Sequence, residues 1–190
     1  MAEQMTKENF IQNVLIGEIA KIKDKHPFFA FTLMACGIEF LGRILKKRKE
    51  NDVNYSRFDF NYAVFNLTVL EKYRPYASEP KGEDPSDGYI NPTSPLNKND
   101  CKDDLYSKLR CCLAHQFLMG ENLNLSDSNE NKLDVPPITL GVHAFYNDFE
   151  KACKEVLTKL STEKELSELQ QITHMVIEKT ENGSSVSGHP

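Results

Sequence analysis

What this chain lacks narrows its chemistry. No stretch approaches the ~20 uninterrupted apolar residues of a membrane helix, and the first residues read Met1-Ala2-Glu3-Gln4, acidic and polar where a signal peptide is basic and then apolar. A cytoplasmic protein without a membrane partner is expected. Basic residues are in deficit: 23 Lys and Arg against 28 Asp and Glu give a formal net charge of −5. That argues against a protein that coats nucleic acid over much of its surface, while leaving room for a local basic patch. Metal-ligand spacing is missing too. The five cysteines, Cys36, Cys101, Cys111, Cys112 and Cys153, form no Cys-x-x-Cys pair, and His26, His143 and His174 form no His-x-x-x-His pair. Free, mostly buried thiols are expected, with no metal and no cofactor. A glycine-rich phosphate loop, a nucleophile elbow around Ser, a close carboxylate pair with an evident site, and internal repeats are absent as well.

What is present is helical periodicity. Ile11, Leu15, Ile19 and Ile22, widened by Phe10 and Val14, predict a helix over 7–25 that His26-Pro27 breaks. Pro27 suits the first turn of a second helix running to about Glu50, with Phe29, Leu33, Cys36, Phe40, Leu41 and Leu45 facing inward. This helix closes on Lys46-Lys47-Arg48-Lys49, which reads either as a solvated, dipole-matched helix end or as a phosphate-binding cluster. Ser56 with Asp59 resembles a capping box for a third helix through Tyr73, whose Phe58, Tyr62, Phe65 and Val69 form one packing stripe. Residues 75–99, with five prolines and no apolar period, predict a long, mobile loop.

Beyond the loop, Asp100 with Asp103 can cap the next helix and Gly120 can end it. Asn122–Leu125 and Val135–Val142 then read as a small β-hairpin or irregular insertion. Phe145, Phe149, Ala152, Cys153, Val156, Leu157 and Leu160 restore the helical period, and Thr162 with Glu165 opens a last helix carrying Leu166, Leu169, Ile172 and Val176. The fold class expected is all-α: a helical bundle of five to six helices in one domain over 1–178, with a disordered tail over 179–190.

The segment with most chemical content is Leu105-Tyr106-Ser107-Lys108-Leu109-Arg110-Cys111-Cys112-Leu113-Ala114-His115-Gln116-Phe117. At ~100° per residue, one broad face holds Leu105, Tyr106, Leu109, Cys112, Leu113, Gln116 and Phe117. Cys111, Ala114 and Leu118 occupy the opposite face, flanked by Arg110 and His115 about 140° apart. Two apolar faces suit a helix that is half core and half interface.

Arg110 and His115, four residues between them, resemble the Arg-x4–6-His hallmark of the HEPN superfamily of helical-bundle proteins, and the surrounding pattern extends the resemblance over roughly 7–160. It implies a homodimer in which two such helices form a metal-independent ribonuclease site, and roles of the bacterial defence or toxin type. Arg110 would stabilise phosphate charge and His115 would transfer protons, with Tyr106 and Cys111 as supporting residues. Cys111 stands where active members usually carry a polar residue. The competing expectation is a non-catalytic dimeric scaffold or partner-binding module, with Arg110 a surface cation paired with Asp103 or Asp104 and His115 a hydrogen-bonded core or interface histidine.

Overall fold

Apolar residues three and four apart wind most of the described residues into helices. The computed structural model describes residues 3–47, 55–82, 87–90, 104–116, 122–134, 137–163 and 171–177, with 3–4, 112–116 and 171–177 described by their backbone. After a short strand, β1 (Glu3–Thr6), the Thr6 hydroxyl caps the first helix by accepting from the Asn9 amide at 3.1 Å. This helix, α1, is continuous through α-helical Lys7–Asn9, π-helical Phe10–Glu18 and α-helical Ile19–Ile22. Pro27 then opens α2 (Pro27–Leu45), where its fixed φ and missing N–H cost nothing. Lys47, at φ 56°, turns the chain out of α2 in the left-handed region, so the helix ends before the expected Glu50, which lies outside the described residues.

The inward face of α2 differs from the expected one. Ala30, Phe31, Met34, Ala35, Ile38, Leu41 and Ile44 are buried, whereas Phe29 and Leu33 are 57% and 44% exposed and Cys36, Phe40 and Leu45 are half-buried. The helix is apolar around its whole circumference, so hydrophobicity alone does not select a face; the small residues do, because they allow close approach. A Cβ on Gly42 would lie 1.7 Å from the Asp59 carbonyl oxygen of the neighbouring helix, and one on Gly37 would meet the Phe149 ring at 2.6 Å. By length and composition α2 is also apolar enough to cross a membrane, contrary to the first reading, and half of that span is buried inside the protein.

The third helix, α3 (Ser56–Asn66), stops short of Tyr73. Leu67 is extended, and the next amide, Thr68, donates to the Glu155 carboxylate at 3.0 Å, a cap supplied from a distant helix. The chain restarts as a 3₁₀ helix, α4 (Thr68–Tyr76), which includes Pro75. Part of the expected loop is therefore structured: β2 (Glu79–Pro80) pairs antiparallel with β3 (Tyr89–Ile90), and Arg57 lies over the Tyr89 ring. Residues 83–86 and 91–99 lie outside the described residues.

The Arg-His segment forms α5 (Tyr106–Gln116), wound as a π-helix. The insertion after it is no hairpin. β4 (Leu123–Ser126) and β5 (Ile138–Gly141) run parallel, in register from Leu123 with Ile138 to Ser126 with Gly141, and parallel strands cannot be joined by a tight turn. Their link folds back so that Lys132 and Thr139 exchange backbone hydrogen bonds at 2.8 Å. α6 (Val142–Thr162) follows, and Thr162 ends it, its hydroxyl donating to the Thr158 carbonyl at 2.9 Å, instead of opening another helix. Ile172 and Val176 lie in a strand, β6 (Gln171–Ile177), antiparallel to β1. β-branched Ile, Thr and Val there favour extended backbone. Leu166, Leu169 and the tail after 178 lie outside the described residues.

Among the described residues the fold is thus mainly α, six helices with three two-stranded sheets. Its aromatic centre joins Phe31 and Tyr73 to Phe145, with Phe149 under α2. Polar ties fix the layers. The Tyr73 hydroxyl donates to Asp148 at 2.6 Å and accepts from Asn131 at 2.8 Å, while the Asn131 side-chain carbonyl takes the Gly141 amide at 2.9 Å, joining α4, α6 and the end of β5. The Tyr146 hydroxyl donates to the Ile16 carbonyl at 3.0 Å and ties α6 to α1.

Two tests follow from this packing. Gly42→Ala should destabilise the protein by about 1–3 kcal/mol, the scale of overpacking against backbone that cannot move aside, read as a lowered urea midpoint. Burial, with Glu150 and Cys153 nearby, pushes Tyr146 up to about 12. An unfolded tyrosine ionises near ~10, so the unfolded chain loses that proton first, and stability present below pH ~10 should drain away as pH rises toward about 12. Urea unfolding across that window should show a shallower loss in Tyr146→Phe.

Candidate functional site

The site begins with the residue that anchors α5. Asp104 is fully buried; its Oδ1 accepts from the Ser107 amide and hydroxyl, each at 3.0 Å, capping the helix. Its Oδ2 accepts from Arg57 Nε at 3.2 Å and Asn61 Nδ2 at 3.2 Å, with Arg57 Nη2 at 3.0 Å, which fastens α5 to α3. Asp104 is therefore committed to Arg57 and to the cap, and it is not the partner of Arg110. Asp100 and Asp103, the expected caps, lie outside the described residues.

From this anchor Leu105 and Leu109 enter the core, and Tyr106 sets its ring edge-on to Phe60 at 5.6 Å. One turn on, Arg110 Nε donates to Glu39 Oε2 of α2 at 2.8 Å, and the guanidinium lies over the Tyr106 ring at 5.9 Å. The two charged side chains are 17% and 16% exposed, a pair neither sealed in the core nor fully in water. Burial opposes the Arg110 charge, but the Glu39 carboxylate outweighs it and raises the guanidinium pKa further. Burial likewise pushes the Tyr106 phenol upward, helped by a hydrogen bond with Cys111, and pushes the Cys36 thiol upward against the pull of Arg110. Tyr106 and Cys36 are thus neutral at physiological pH.

The winding of α5 changes the relation between Arg110 and His115. An i→i+5 helix turns less per residue than an α-helix, so a five-residue step there goes about 50° past one full turn, where an α-helix would splay the two positions by about 140°. The backbone at 110 and 115 therefore shares one face of α5. The His115 side chain, like those of Cys112, Leu113, Ala114 and Gln116, lies outside the described residues, as do Phe117, Leu118 and Gly120.

The structure brings together Arg110, Tyr106, Cys111, Glu39 and Cys36. It does not add the basic cluster: Lys46 Nζ is drawn over the Tyr62 and Phe58 rings at 4.9 and 5.7 Å, Lys47 is exposed at the end of α2, and Arg48 and Lys49 lie outside the described residues. Glu39 is the functional candidate that the spacing analysis missed. Its signal was legible, since it is the one acidic residue in a nineteen-residue apolar helix and a half-buried carboxylate there calls for a cation.

Beside this cluster, α1 and α2 leave an apolar groove of about 190 Å³ lined by Phe10, Val14, Leu15, Leu33, Cys36 and Phe40. Cys36 belongs to both, so groove and ion pair are continuous. His143 sits apart, 3.1 Å from Asp127 and 3.6 Å from Asp24. Among the described residues no group of three or more His, Cys, Asp or Glu side chains is placed to hold a metal ion. Comparison with protein-family models, with curated proteins and with solved structures gives no match.

A double-mutant cycle on Glu39→Gln and Arg110→Gln, read by urea unfolding, should give a coupling of about 0.5–3 kcal/mol, the range for residues in direct polar contact. Additive effects would mean that the pair is not formed in solution.

Proposed function

We propose that the chain is a HEPN-like helical bundle, working in the cytoplasm as a metal-independent endoribonuclease whose site is completed across a homodimer. The observation that carries this reading is the winding of α5, which brings the backbone at 110 and 115 to one side of the helix, with Arg110 already oriented by Tyr106 and Glu39. Cleavage of RNA through its own 2′-hydroxyl needs a base, an acid and a cation for the growing phosphoryl charge. A histidine imidazole, whose ordinary pKa is near ~6.5, can serve either proton role, and His115 would supply one. Arg110 supplies a permanent charge whose planar fork matches phosphate. One chain offers one of each, and a two-fold axis beside α5 doubles them.

A second reading, a non-catalytic dimeric scaffold or partner-binding module, is favoured by a different observation. Glu39 neutralises Arg110, and the exposed Leu33 lines an apolar groove next to it. That surface suits protein contact better than phosphate.

The two readings separate in one assay. Purified protein should be a dimer by light scattering and should cleave a mixed RNA pool in EDTA, leaving 2′,3′-cyclic phosphate ends. Arg110→Ala and His115→Ala should each slow cleavage by about a hundredfold or more, the scale for one charge-stabilising or proton-transferring group, without loss of the dimer. Cleavage indifferent to His115→Ala, or none at all from a well-folded dimer, would select the scaffold.

A further inference from the structure

We propose that the apolar face of α2 pairs with the same face of a second copy of this chain, the two α2 helices running antiparallel across a two-fold axis at Leu33. This rests on the second reading above only in taking that face for protein contact, and it makes no use of Arg110 or His115. Two features on one stripe of α2 carry it. One is a projection: Phe29 is the one exposed phenylalanine among the described residues, at 57%, with Leu33 at 44% one turn further on. The other is a recess, the groove of about 190 Å³ between α1 and α2, whose lining on α2 runs from Leu33 to Phe40 with Gly37 near its middle. A cavity of about 150 Å³ walled by Leu, Ile and Phe takes up benzene. This groove therefore has room for a phenyl ring.

Register makes projection and recess answer each other. Across a two-fold axis at Leu33, a residue n places before it on one α2 faces the residue n places after it on the other. Phe29, four places and ~6 Å before the axis, therefore faces position 37 of the second copy, where the groove wall is a glycine. Each chain supplies one ring and receives one, so the contact closes at two chains. Charge does not oppose it. Glu18 is the one charged residue lining the groove among the described residues, and its carboxylate already holds Lys21 at 2.7 Å, so pairing brings no bare charge to the axis. The recess also lies along the π-helical part of α1, Phe10–Glu18, a rare winding found often at functional sites. A small apolar ligand in the groove would leave Phe29 in water, whereas a second copy covers Phe29 and Leu33 together.

Light scattering of the full chain across a micromolar range tests the pairing. Wild type should be a dimer, and Leu33→Asp, which sets two carboxylates against each other on the axis, should raise its dissociation constant by about a hundredfold or more. Phe29→Ala should raise it by about tenfold or more with circular dichroism unchanged, since most of the ring lies outside the core. Phe29→Ala decides alone should Leu33→Asp fail to fold. A residue on the axis meets its own copy, so mild oxidation of Leu33→Cys should link two chains about tenfold faster than wild type or Lys154→Cys, on the exposed side of α6. A wild-type monomer, a dimer untouched by these substitutions, or cross-linking no faster than the two controls overturns the pairing. Should the untouched dimer cleave no RNA, the scaffold reading survives without this face. His115-dependent cleavage by a dimer that Leu33→Asp dissolves does the reverse, keeping the pairing and removing the scaffold reading.

Discussion

Everything else in this molecule is arranged around a helix with no polar face. α2 presents apolar side chains on all sides, so water has to be excluded from most of its length, and α1, α3, α5 and α6 all pack on it. Close approach on two of those sides depends on residues without bulk. Gly42 admits the α3 backbone and Gly37 admits the Phe149 ring, so the positions of α3 and α6 are set by what α2 omits. Where coverage ends, the surplus shows as exposed Phe29 and Leu33.

The same constraint fixes the chemistry of α5. A carboxylate in the middle of such a helix is tolerable only beside a cation, and Glu39 obtains one because Asp104 holds the start of α5 against α3 through Arg57 and Asn61. Asp104 sets where α5 begins and Glu39 meets Arg110 one and a half turns later. Tyr106, between them, packs on Phe60 on one side and under the guanidinium on the other. The arrangement is therefore a chain of dependencies in which a buried cap, a ring and an ion pair each position the next.

The helical elements were legible in the sequence wherever a long apolar period met an unambiguous breaker, as at Pro27. Legibility failed where a distant group decided the outcome. Glu155 capping Thr68 splits a stretch that periodicity alone reads as one helix, and the pairing of β6 with β1 claims Ile172 and Val176, whose spacing also fits a helix. For the parallel β4–β5 pair, local turn chemistry suggested a hairpin because nothing in the intervening residues announces a crossover. At the candidate site, the Arg110–His115 spacing was readable but the turn that relates them was not, since an α-helix and a π-helix place the same five-residue step on different faces. Glu39 was visible as an anomaly; only the fold says that Arg110 is the answer to it.

Stability explains this ion pair poorly. Exposed pairs contribute about 0–1 kcal/mol, and a buried pair is commonly replaced by apolar residues of like volume at no loss, because desolvation consumes the Coulombic gain. At 17% and 16% exposure the Arg110–Glu39 pair falls between these cases and inherits the advantage of neither. Position 39 adjoins an apolar groove and a helix of Leu, Ile and Phe, surroundings in which an aliphatic side chain would pack without a partner.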